Sequence, residues 1–126
     1  MVTIFGSGFG LYGYLPALIE GVNETVCLPR KYLKIIRSRT DLSALEEKIL
    51  WVKDEDEAIQ RSSKAVISVN PIWQFGIVKR CVALGFKGHF FLEKPLAESP
   101  EEADKLLDFL DDSGAGYSVG YSFLYI

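Results

Sequence analysis

The residues best suited to chemistry stand at the start of the chain, where a short apolar run, Val2-Thr3-Ile4-Phe5, enters a turn with glycines at 6, 8, 10 and 13. A pyrophosphate approaches backbone N–H groups closely only where no Cβ intervenes, and a helix beginning just beyond turns its positive dipole end toward the charge. Gly6, Gly8 and Gly10 meet that need and are candidate phosphate contacts. Leu11 holds the third-glycine position of the usual G-x-G-x-x-G pattern, so the spacing alone equally fits a glycine-rich turn between any strand and helix.

Other reactive side chains offer less. Cys27 and Cys81 lie in apolar surroundings without metal-ligand or disulfide-framework spacing, and are expected to be reduced core thiols. His89 opens a strand and is read as structural. Trp51 and Trp73 are read as core or rim aromatics, and Asp111 and Asp112 as a helix end with nothing to pair them for acid–base work.

Apolar runs and helical stripes alternate along the chain, which predicts a Rossmann-type, doubly wound α/β fold: a mainly parallel six-stranded sheet with helices on both faces. Strands are expected over 2–5, 25–28, 49–52, 65–69, 89–92 and 117–125. Leu11, Leu15, Leu18 and Ile19 share one face of a first helix that Pro16 should interrupt. Asp54 is read as a helix cap with Glu57 reaching back, and the helix after Asn70-Pro71 is expected to bury Ile72, Phe75, Val78 and Val82. Ser99, Pro100 and Glu102 open the last helix, and Gly114 closes it. Between Arg30 and Arg39 runs a basic stretch, read as turn plus helix.

With 126 residues, 48% of them hydrophobic, the chain is expected to form one domain with a proper core. A net charge of −3 argues against nucleic acid or anionic membrane as partner. The first charged residue is Glu20, yet four glycines and Pro16 disfavour a membrane span and a basic start to a signal peptide is missing. The expected location is the cytoplasm.

Directly after the fifth strand stands Glu93-Lys94-Pro95-Leu96-Ala97. Together with the turn Gly8-Phe9-Gly10, the segment Leu15-Pro16-Ala17 and the later Ser99-Pro100-Glu101-Glu102-Ala103, it resembles the Gfo/Idh/MocA family of NAD(P)-dependent oxidoreductases over essentially the whole chain. The resemblance implies an N-terminal nucleotide-binding domain only, since members normally continue into a second α/β domain that supplies much of the substrate pocket. It also implies cofactor contacts from Gly6, Gly8, Phe9, Gly10, Asn70, Pro71, Glu93 and Lys94, and a catalytic role for Lys94 where nicotinamide meets substrate. Glu93 would orient that lysine or the turn. Two departures stand out: Trp73-Gln74-Phe75 occupies the place where members often carry histidine, and Leu124 the place where an arginine is common.

The cofactor itself is read from the end of the second strand. A ribose with free hydroxyls usually meets an Asp or Glu there, whereas this chain reads Leu28-Pro29-Arg30-Lys31, with no carboxylate between Glu24 and Asp41. Arg30 and Lys31 suit a 2′-phosphate, so NADP is expected over NAD; an ordinary solvated basic face is the competing reading.

The leading expectation is thus the NAD(P)-binding domain of an oxidoreductase acting on a sugar-like or polyol hydroxyl or carbonyl, inactive alone and able to self-associate. A free-standing nucleotide or coenzyme A binding module and a non-catalytic partner subunit remain open, and no metal site is expected.

Overall fold

The computed structural model describes residues 1–6 and 10–120. Its six strands are β1 (Val2–Phe5), β2 (Val26–Pro29), β3 (Ile49–Val52), β4 (Lys64–Ile67), β5 (His89–Leu92) and β6 (Gly116–Val119). They form one sheet in the order β3-β2-β1-β4-β5-β6, and every neighbouring pair is parallel. This is the doubly wound arrangement expected from the sequence. The edge strand β6 ends at Val119, and the expected continuation over 121–125 lies outside the described residues, as do Gly8 and Phe9.

Each strand sends alternate side chains to opposite faces. Ile4 and Val66 enter a core with Leu11, Leu15, Ile36 and Leu42, whereas Phe5, Ala65 and Ile67 enter another with Val78, Phe90, Leu106 and Leu110. The first helix covers the former face. It consists of two π-helical segments, Gly10–Tyr14 and Ala17–Gly21, and Pro16, which cannot donate a backbone hydrogen bond, lies between them. Leu11, Leu15, Leu18 and Ile19 are all buried, as the stripe predicts.

The basic stretch forms a 3-10 turn, Arg30–Tyr32, then α1 (Leu33–Ser38) and α2 (Thr40–Ser43). Asp54 Oδ1 accepts from the Glu57 N–H at 2.9 Å and opens α3 (Glu55–Arg61). Asn70 likewise caps α4 (Pro71–Ala83), and Ser99 caps α5 (Pro100–Ser113), which ends at Gly114 with φ of 83°. Among the described residues no helix is long and apolar enough to cross a membrane.

Helix α4 meets expectation at Val78, which is buried, and in part at Phe75 and Val82, which pack half-buried against the same core. It departs from expectation at Ile72, which is 54% exposed, while Gln74 and Cys81 are buried. The segment is apolar nearly all round, so its periodicity does not fix which face turns inward.

Candidate functional site

The chain leaves β1 toward β2 on one side of the sheet and returns from β3 to β4 on the other, so the flanking helices diverge and leave a crevice beyond the carboxyl ends of β1 and β4. Gly6 ends β1 at this place, and the Ser68 N–H just past β4 donates to the Phe5 carbonyl at 2.8 Å. Gly6 has φ of 132°, and a Cβ there would overlap the Ser68 carbonyl. The glycine is therefore required by the junction of the two strands, before any ligand is considered.

Between Gly6, Ser68 and the segment after β2 opens a cleft of about 530 Å³, lined also by Lys31, Tyr32, Ile35 and Glu55. Tyr32 is buried, and its hydroxyl is hydrogen-bonded by the Gly6 backbone; burial pushes the phenol's pKa up, the bond to Gly6 opposing this. Lys31 Nζ lies 3.2 Å from Glu55 Oε2, and Glu55 Oε1 accepts from Arg80 at 3.3 Å. Arg80 also bonds Asp56. Arg30, the neighbour of Lys31 in the chain, lines a separate open hollow of about 500 Å³ with Lys34 and Arg37. The fold thus brings only Lys31 of the two basic residues to the cleft, and brings a carboxylate with it.

The turn after β5 forms a third wall of this end of the sheet. Glu93 Oε1 accepts hydrogen bonds from the Tyr14 hydroxyl at 2.7 Å and the Ser68 hydroxyl at 3.0 Å, so one carboxylate ties the first helix, β4 and the turn together. Gln74, fully buried on α4, accepts from the Glu93 N–H at 3.2 Å and donates to the carbonyls of Glu93 at 3.3 Å and Leu96 at 2.9 Å. Lys94 stands exposed between these anchored residues, followed by a cis bond to Pro95. Asn70 spends its side chain on the cap of α4, where Oδ1 accepts from Ile72 N–H at 3.1 Å, with Pro71 as the first helical residue. At the same helix end Trp73 is 65% exposed.

Cys27, Cys81 and His89 do not line this cleft. Cys81 and Cys27 are buried free thiols; burial raises both, Cys81 to about 12, which leaves neither a thiolate near neutral pH. His89 Nε2 sits 2.7 Å from Ser118 Oγ at the opposite end of the strands.

Sequence reasoning missed Gln74, Tyr14, Ser68 and Glu55. A polar residue at 74 in step with Val78 and Cys81 is a legible signal of a buried polar anchor. Glu55 carries no such signal, because only the sheet order brings α3 beside the end of β2.

The family model described as "Oxidoreductase family, NAD-binding Rossmann fold", that of the Gfo/Idh/MocA proteins, matches residues 2–121. No curated protein sequence matches the chain. Among solved structures the WlbA dehydrogenase of Chromobacterium violaceum, in complex with NADH and UDP-GlcNAcA, superposes with a TM-score of 0.70 at 14% identity, over 94% of this chain and 34% of its own. UDP-N-acetylglucosamine 3-dehydrogenase GnnA of Acidithiobacillus ferrooxidans gives 0.65 at 18% identity, over 94% and 37%. A super-repressor mutant of Gal80p of Saccharomyces cerevisiae gives 0.69 at 15% identity, over 94% and 33%. The chain therefore spans about a third of the length of these structures, which share its fold. The match of nearly its whole length to the family model, on a sheet of the same design, makes this chain a member of the Gfo/Idh/MocA oxidoreductases, carrying their NAD-binding Rossmann domain.

Proposed function

We propose that residues 1–126 act as a single dinucleotide-binding domain of a cytoplasmic oxidoreductase that exchanges a hydride between NAD(P) and a hydroxyl or carbonyl of a sugar-like or polyol substrate. The observation that carries this reading is a cleft at one end of the sheet, lined by Gly6, Ser68 and Lys31 and large enough for part of a dinucleotide, with the Glu93-Lys94 turn tied to its edge by the Ser68–Glu93 hydrogen bond. When bound, the nicotinamide supplies the hydride acceptor or donor.

The chain's own residues divide the remaining work. Gly6, Gly8, Phe9 and Gly10 receive the pyrophosphate, with Asn70 and Pro71 beside it. Arg30 and Lys31 favour a 2′-phosphate, hence NADP over NAD. Lys94 is the catalytic residue: its ammonium donates to the reacting substrate oxygen and stabilises the charge that develops there. Glu93, bonded to Tyr14 and Ser68, positions the turn. Orientation against the nicotinamide supplies about 7–11 kcal/mol of barrier lowering, and a substrate domain of the family's type is assigned that task, so this domain alone binds cofactor without turnover. Two solved neighbours, the WlbA dehydrogenase in complex with UDP-GlcNAcA and the UDP-N-acetylglucosamine 3-dehydrogenase GnnA, support the substrate class, and buried unpaired thiols suit a reducing compartment. The β6 edge is the proposed surface for self-association.

A second reading, a nucleotide or coenzyme A binding module without catalysis, is favoured by Gln74, which is committed to holding the turn where many members carry histidine. Calorimetric titration with NADPH, NADH and coenzyme A separates the two, NADPH binding most tightly under the first. A spectrophotometric screen over polyols and sugar nucleotides, with Lys94→Ala as control, tests catalysis. Lys94-dependent turnover by the 126-residue chain would overturn the assignment of substrate orientation to a further domain.

A further inference from the structure

The cleft contains a carboxylate in the place where the sequence shows only cations. Lys31 lies two residues beyond the end of β2, where a ribose-binding acidic residue stands in dinucleotide-binding sheets. Glu55, from the start of α3, reaches the same wall and pairs with it at 3.2 Å. Its other oxygen is held by Arg80 of α4 at 3.3 Å. The Glu55 side chain is 23% exposed against 56% for Lys31, so the lysine is the freer partner.

We propose that Glu55 is the specificity-determining residue of this cleft, holding Lys31 in an ion pair that a ribose 2′-phosphate has to break, while offering its own oxygen to an unphosphorylated ribose hydroxyl. The inference rests on the dinucleotide reading of the site. A 2′-phosphate carries close to two negative charges near neutral pH. Approaching Lys31, it competes with a carboxylate that Arg80 keeps at the edge of the cleft, and after displacement still faces that like charge. A free 2′-hydroxyl meets the opposite situation, because it donates a charge-assisted hydrogen bond to the carboxylate. One residue therefore narrows the preference for NADP that Lys31 creates.

The test is a calorimetric comparison of adenosine 2′,5′-bisphosphate, AMP, NADPH and NADH on the wild type, Glu55→Gln, Lys31→Met and the double variant, with far-UV circular dichroism to establish folding. Glu55→Gln is expected to tighten binding of both 2′-phosphorylated probes about three- to tenfold, the range of a partly exposed ion pair, and not to tighten AMP or NADH. In the Lys31→Met background the gain should shrink, since only the repulsion is then relieved. If Glu55→Gln fails to fold, Arg80→Met, which removes the cation that offsets the Glu55 charge, should instead weaken both 2′-phosphorylated probes relative to AMP and NADH. Equal effects on all four probes would then count against the role of Glu55. Equal shifts for phosphorylated and unphosphorylated probes, or no shift, would overturn the role of Glu55 while leaving the dinucleotide site standing. Absence of binding by any of the four probes to the wild type would overturn both.

Discussion

The Tyr14 hydroxyl donates to Glu93 Oε1 at 2.7 Å across 79 residues of sequence, and the same oxygen accepts from Ser68 at 3.0 Å. The helix after the glycine turn is thereby fastened to the turn that carries Lys94, so the two ends of the proposed cofactor site share one carboxylate.

Tyr14→Phe removes one of these bonds and nothing of the ring's packing. It should cost about 0.5–1.5 kcal/mol in urea unfolding. Glu93→Gln keeps an acceptor oxygen and the side-chain volume, and is expected to cost less than Glu93→Ala, which removes the hub altogether. A Glu93→Ala protein as stable as the wild type would show that the network does not hold the site together.

Gly6→Ala is expected to destabilise the fold by more than about 2 kcal/mol, as read by thermal melting, with no ligand present. The residue has φ of 132°, and an added Cβ would overlap the Ser68 carbonyl, so backbone and neighbour both resist the change. If Gly6→Ala melts with the wild type and loses only nucleotide binding, the glycine serves the ligand alone.

What the sequence discloses and what it hides divide along physical lines. Continuous apolar runs such as Ala65-Val66-Ile67 announce buried parallel strands, and caps such as Ser99 and Asp54 fix helix starts locally, since each bond spans only three residues. The phase of α4 is only faintly marked because Ile72, Trp73, Phe75, Val78, Cys81 and Val82 surround the helix, with Lys79 and Arg80 as its sole charges and Gln74, in step with Val78 and Cys81, as the one polar hint of the inward face. The cleft is half legible. Gly6 and Glu93 are visible as motif residues, and Lys31 as a charge at the end of a strand. Its partner Glu55 arrives through the placement of α3 beside β2, a tertiary contact that local spacing does not encode.

Gln74→Leu fills the same volume but withdraws one acceptor and two donated bonds from the backbone of Glu93 and Leu96. Leaving such groups unpartnered costs about 1–3 kcal/mol each when they are buried. The expected result is a loss of at least about 2 kcal/mol of stability, with faster hydrogen exchange at the Glu93 amide than at β5 amides outside the turn. Unchanged exchange at Glu93 would mean that the turn holds its shape without Gln74.

His89 makes stability depend on pH in a window of its own. Burial lowers its pKa from the ordinary 6.5, and nearby Lys64 lowers it further. Its ring is bonded to Ser118 Oγ at 2.7 Å and packs against Phe91 at 4.8 Å between centroids. Because the folded ring holds a proton more weakly than the unfolded one, the unfolded chain binds more protons as pH falls through 6.5. Stability from the neutral ring is therefore complete above that value and declines below it, with a slope of at most about 1.4 kcal/mol per pH unit. The carboxylates of Asp41, Glu46 and Glu57 are held below their ordinary values, first of all by hydrogen bonds from Arg39, from Arg37 and from the Lys53 N–H. Their contribution is lost in the more acidic range, as pH falls below about 4.5. Urea midpoints measured between about pH 5 and 6.5 should thus fall with acidification in the wild type and much less in His89→Gln, which keeps a polar group facing Ser118. Equal slopes in the two proteins would assign the dependence to other groups.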